Sequence, residues 1–196
     1  MNLLTQINEF GIDYTAYKEK LQKTIDTPVP ESADDLVKER YGFTKLNQYR
    51  MTRVEKTYIP SDELKNLISR ITNPQTWMII SAVWCGDSAQ NVPAIVKMAE
   101  LNKLIDIRLI ERDEHFEIMD MFLTNGGRSI PKLVVFDDAG DIVFQWGSRP
   151  AGAQQVVVDS KALGLEKPEW EVKLHLWYAR NRSVELEAEL VEKLKK

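Results

Sequence analysis

The sequence predicts an α/β fold in which a parallel strand–helix–strand unit is followed by an antiparallel hairpin. Three observations carry this. Residues 77–83 are nearly all apolar, as expected for an inner strand covered on both faces of a sheet. They run straight into a helical stretch in which Val92, Ile95, Val96 and Ala99 make an apolar stripe, reaching about Lys103 and kinked at Pro93. Residues 132–136 and 142–146 are β-rich runs separated by Asp137, Asp138, Ala139 and Gly140, which reads as a hairpin.

The remaining elements follow in chain order. Residues 1 to about 50 read as helical and polar, with Tyr14, Tyr17 and Leu21 at helix spacing and Pro28 and Pro30 breaking the pattern. Ser32 with Asp34 and Asp35 marks a new helix start, which Gly42 is expected to interrupt. Met51, Val54 and Tyr58 share one helical face, yet residues 52–59 also alternate as a strand does, and both readings stand. Pro60 and Ser61 before Asp62 and Glu63 open a helix over 62–71 that stops before Asn73 and Pro74. Residues 105–110 alternate as a strand. Phe116, Met119 and Leu123 mark a helix ended by Asn125, Gly126 and Gly127. A helix over 151–163 closes the unit, and Gly164 and Pro168 form a joint. Trp170, Leu174, Trp177 and Tyr178 are helical in spacing, and Leu186, Leu190 and Leu194 continue as a charged amphipathic helix. This divides the chain into a helical N-terminal extension (1–60), a central domain (61–164) and a helical C-terminal extension packed on it (165–196).

Composition narrows the function classes. The 26 basic against 30 acidic residues give a net charge of −4, without the basic excess of a nucleic-acid binder. No stretch approaches the roughly 18 apolar residues of a membrane span, and the N-terminus does not read as a secretory signal. One cysteine makes no intrachain disulfide, so the expected location is cytoplasmic. Glycine-rich phosphate loops, zinc spacings and serine-hydrolase elbows are missing, so no metal or cofactor is expected. His115, beside Asp113 and Glu114, reads as a surface residue, and His175 as part of the terminal helix.

The one cysteine, Cys85, stands where the apolar strand meets the following helix. A thiol in a first helical turn faces unpaired N–H groups and the positive end of the helix dipole, which favours the thiolate. Trp84, Cys85 and Gly86, a helix with Pro93, the pair Ile130–Pro131 before the hairpin, and Gly140 and Gly147 around it resemble the thioredoxin family. The resemblance covers about residues 61–164. It implies the thioredoxin fold: three layers, α/β/α, with a mixed sheet, a cis-proline at Pro131 and a C-terminal hairpin, here carrying helical extensions at both ends.

It also implies roles. Cys85 would be the nucleophile, Trp84 the apolar surface beside it, and Ile130, before the cis-proline, a backbone rail for an extended substrate. Gly86 and Asp87 would complete the substrate surface. The family's second cysteine is replaced by Ser88 and its proline by Asp87. Ser88 can donate a hydrogen bond to a thiolate, whereas the Asp87 charge opposes one. The buried acid that thioredoxins carry on the preceding strand is replaced by Met78, Ile79 and Ile80. The expected activity is monothiol thiol–disulfide exchange on a protein or low-molecular-weight thiol or disulfide, with glutathione as the external reductant. The alternative is a non-catalytic thioredoxin-fold adaptor or chaperone-like module that binds extended segments on the same rail.

Overall fold

A computed structural model describes residues 3–196. Nine helices and four strands follow one another among them: α1 (Leu3–Phe10), α2 (Tyr14–Asp26), α3 (Asp35–Thr57), α4 (Asp62–Ser69), β1 (Gln75–Ser81), α5 (Gly86–Ala99), β2 (Ile105–Glu111), α6 (Phe116–Met119), β3 (Lys132–Phe136), β4 (Ile142–Gly147), α7 (Ala151–Ala162), α8 (Lys167–Asn181) and α9 (Val184–Leu194).

The sheet order is β2-β1-β3-β4. β1 runs parallel to β2, with Ile79 opposite Leu109, and antiparallel to β3, with Ile79 opposite Leu133. β3 and β4 form the antiparallel hairpin, turning at Gly140 with a positive φ that suits glycine. The apolar run of β1 supplies both faces. Trp77 and Ile79 join one core with Leu109, Leu133, Val135 and the inner side of α5, while Met78 and Ile80 join another with Ile110, Val134, Phe136 and α1. A strand buried on both faces gains from apolar side chains at every position, which is why this run does not alternate.

Helix ends obey their sequence signals. Asp13, Asp34 and Ser61 cap α2, α3 and α4 by accepting from the backbone N–H groups of Ala16, Val37 and Leu64. Two expectations need correction. Gly42 does not interrupt α3, a single helix of 23 residues that also settles residues 52–57 in favour of helix, with Tyr58 as its extended C-cap. The cost of one glycine is only about 1 kcal/mol, which the packing of Met51 and Val54 on the core outweighs. The terminal helix does not continue: Arg182 and Ser183 are both left-handed, and α9 turns away to place Leu186, Leu190 and Val191 in the core beside α4. The helix expected around Phe116 is a single turn, followed by Asn125 and Gly126 with positive φ.

α5 is buried almost all round, Gln90 and Asn91 included. The sheet covers one side of it and α3 packs along another, so the N-terminal extension acts as an outer layer over the central helix. The Ile130–Pro131 peptide is cis and leads into β3. Gly147 lies against it: a Cβ there would stand 2.3 Å from the Pro131 carbonyl oxygen, at a φ of +130°. Gly147→Ala is therefore expected to destabilise the fold by at least about 1 kcal/mol, read as a lower urea midpoint.

Candidate functional site

Cys85 is the N-cap of α5, fixed by the tight turn that takes β1 into the helix. Its Sγ accepts from the backbone N–H of Ser88 at 3.5 Å, and its S–H donates to the carbonyl of Ile130 at 3.5 Å. The thiol thus sits directly opposite the Ile130–Pro131 bond, and these residues come together from two separate parts of the sequence. The Ser88 hydroxyl lies close to the sulfur but is buried without a hydrogen bond of ordinary geometry.

The thiol is 7% exposed, and burial pushes its pKa up to about 11, with the Asp87 charge adding to the rise. Ser88 and the N–H groups of the helix start pull the other way without cancelling it. The thiolate preference expected from the helix dipole alone is therefore overridden by desolvation. The opposition expected from Asp87 is present.

Asp87, also 7% exposed, organises its surroundings. Its carboxylate pairs with Arg149 Nη2 at 2.6 Å and accepts from the Tyr178 hydroxyl at 2.8 Å. Burial raises its pKa, against the pull of Arg149, Tyr178 and Arg50. Asn91 Nδ2 bridges the Asp87 carbonyl at 2.8 Å and the Tyr178 oxygen at 3.1 Å. Gln90 links Arg53, at 2.5 Å, to His175 Nδ1, at 3.2 Å. The His175 ring packs on Gly86 so closely that a Cβ at residue 86 would meet it at 2.8 Å. Burial, reinforced by Arg50, Arg53 and Arg149, holds His175 neutral with a pKa of about 3.

A pocket of 350 Å³ opens over the thiol. Trp84, Gly86, Asp87 and Ile130 line it with Cys85, and Arg50, Arg112, Arg128, Arg149 and Lys167 give its wall a basic excess over Asp87 and Glu171, although all of these cations but Arg50 are paired with carboxylates. The indole of Trp84 is held between the guanidinium groups of Arg40 and Arg112, 4.5 and 4.7 Å from its ring centroid, and its Nε1 donates to Asp113 at 3.0 Å. A larger, apolar hollow of 670 Å³ lies beyond Trp84 between α2 and α3, away from the thiol.

A Thioredoxin family model matches residues 34–163, more than half of the chain. The chain belongs to the thioredoxin family. The family match begins at the start of α3, so that helix lies inside the family region rather than before it. No curated protein matches significantly. Among solved structures the thioredoxin-family chain is similar to a protein of unknown function from Pseudomonas aeruginosa, with a TM-score of 0.65 and 13% identity over 100% of this chain and 98% of the other. It is also similar to an HIV epitope scaffold, with a TM-score of 0.62 and 13% identity over 97% and 96%. At these identities the likeness concerns the fold alone, and it extends over both terminal regions.

Sequence reasoning missed Arg149, Arg50 and the Gln90–His175 link, and it weighed Tyr178, with Trp170 and Trp177, as a cap on the active surface but favoured packed core. The available signal was two amides, Gln90 and Asn91, inside a helix predicted to be core. Glu111 was missed as well. It lies at the end of β2, facing Lys20 Nζ at 3.4 Å, and burial pushes it up to about 7. Among the described residues no cluster of His, Cys, Asp and Glu suits a metal ion, and no helix is long and apolar enough to cross a membrane.

Two measurements check these electrostatics. Alkylation of Cys85 by iodoacetamide is expected to quicken about tenfold per pH unit from pH 7 to 10, because only the thiolate reacts. Asp87→Asn should lower the midpoint while burial keeps it above the free-thiol value of about 8.5. For His175 the folded pKa lies below the unfolded value of 6.5, so protonation favours the unfolded chain. Its stabilising contribution is complete above pH 6.5 and falls as pH drops toward 3, with a slope of up to about 1.4 kcal/mol per unit. His175→Gln should remove that component from the pH dependence of urea unfolding.

Proposed function

We propose that this thioredoxin-family chain is a monothiol thiol–disulfide oxidoreductase whose thiol rests in the protonated state. The observation that carries the reading is the placement of Cys85 Sγ at the base of an open cationic pocket, opposite the Ile130–Pro131 bond. In the first step the Cys85 thiolate attacks one sulfur of a disulfide, forming a mixed disulfide and releasing the other sulfur as a thiolate. An external thiolate then attacks the sulfur attached to Cys85's partner, regenerating the Cys85 thiolate and leaving a new disulfide between partner and reductant. The cycle needs no second cysteine in the chain.

The cationic wall favours partners that carry carboxylates, and glutathione fits that chemistry as the external thiol. Trp84 supplies the apolar contact beside the sulfur, and the backbone around Ile130 the edge along which an extended partner would lie. Cytoplasmic residence, where glutathione supplies reducing equivalents, suits this chemistry.

One observation favours a second reading, a non-catalytic binding module. With a pKa of about 11 the thiol is almost wholly protonated at neutral pH, and its proton is engaged by the Ile130 carbonyl. Reduction of a glutathionylated peptide with free glutathione as the external thiol, run from pH 7 to 9 with intact-mass detection of the Cys85–glutathione mixed disulfide, separates the two. The oxidoreductase shows an adduct and turnover that rise with pH and vanish in Cys85→Ser. Absence of any adduct across this range, together with peptide binding that survives Cys85→Ser, would establish the binding module instead.

A further inference from the structure

A second cationic hollow lies behind the thiol pocket, between the start of β3, the end of β4 and α9. It measures 570 Å³, and its walls include Lys132, Trp146, Arg149, Lys193 and Lys196. Lys132 follows the cis-proline directly and is 8% exposed. Among the described residues the influences on its amine are burial and the neighbouring charge of Lys193, both of which lower its pKa, with no carboxylate acting the other way. The Lys132 amine, at the mouth of the hollow, carries no hydrogen bond or ion pair among the described residues, and an anion between it and Lys193 would relieve the repulsion of the two charges.

The two carboxylates in the hollow are engaged elsewhere. Glu189 accepts from Trp146 Nε1 at 2.5 Å and from the backbone N–H of Ala151 at 2.7 Å, which ties α9 to β4 and to the start of α7. Glu192 pairs with Lys195 at 2.8 Å. Arg149, which walls both this hollow and the thiol pocket, carries a buried Nε–H with no hydrogen-bond partner. Among the described residues the amines of Lys132, Lys193 and Lys196 and the Arg149 Nε–H thus stand without a carboxylate partner inside the hollow, while Glu189 keeps its charge but turns its acceptors to the neutral Trp146 and Ala151 donors.

We propose that this hollow is a binding site for a phosphate-type oxyanion, with Lys132, Lys193 and Lys196 as its ligands. Several amines converging on one volume match an anion with three or four acceptor oxygens, and lysine suits such a group as a mobile point charge. The site is separate from Cys85 and stands whether or not the thiol is catalytic.

Isothermal titration calorimetry on the full chain, at constant ionic strength, tests this with three probes: inorganic phosphate, glycerol 3-phosphate and citrate. Binding of phosphate or of the phosphomonoester is expected, unchanged in Cys85→Ser and weakened at least tenfold in Lys132→Met. The tighter of the two probes tells whether the natural ligand is a free ion or a phosphorylated molecule. The paired variant K193A/K196A, which alters the rim, is expected to weaken binding too, and decides the matter should Lys132→Met fail to fold. No binding of either phosphate probe, binding of citrate alone, or binding undiminished in these variants would overturn the proposal.

Discussion

A carboxylate with almost no access to water has to be met by donors, and Asp87 is met by Arg149 and Tyr178 from parts of the chain far beyond it. This one requirement ties the first turn of α5 to the loop after β4 and to α8. Once α8 is held there, His175 lies on Gly86, Gln90 turns to His175, and Arg53 turns to Gln90. The packing that satisfies Asp87 also covers most of Cys85, leaving it reachable only from the pocket above it. Thiol burial and carboxylate burial are therefore one arrangement, and the high thiol pKa follows from it rather than from the helix start considered alone.

The same arrangement explains what the added helices do. In a sheet whose central strand is apolar on both faces, each face needs cover, and α5, buried nearly all round, needs a further layer outside it. α3 supplies much of that layer, and Lys97 of α5 donates to the Glu55 and Tyr58 carbonyls at the end of α3. α9 does similar work over α4, where the carboxylate of Glu187 takes the Tyr58 hydroxyl. The terminal regions are thus integrated into one packed body, in keeping with the two solved structures that match along nearly the whole chain.

Arg149 stands at the crossing of two cationic volumes. One of its nitrogens neutralises Asp87 beside the thiol, and the residue also walls the hollow that holds Lys132. A chain with an overall charge of −4 has thereby gathered basic side chains at two of its concave surfaces. Fields from such clefts are stronger than those from scattered surface charges, because their low-dielectric walls focus them.

By itself the sequence determined the succession of strands and helices in the central region, the hairpin and the start of α5 at Cys85, because these depend on local signals: an uninterrupted apolar run, turn residues and a strand-to-helix junction. The placing of that thiol opposite Ile130–Pro131 was implied only by the family resemblance. The sequence also announced, through Asp87, a charge that would disfavour the thiolate. Tertiary structure alone decided the rest. Gly42 within α3, the left-handed break at Arg182 and Ser183, the Arg149 and Tyr178 partners of Asp87, and the isolation of Lys132 arise from contacts between residues tens of positions apart. Periodicity reports which face of an element is apolar, but it carries no record of which distant element will cover that face, and desolvation, the largest influence on Cys85, His175 and Lys132 alike, is set by that covering.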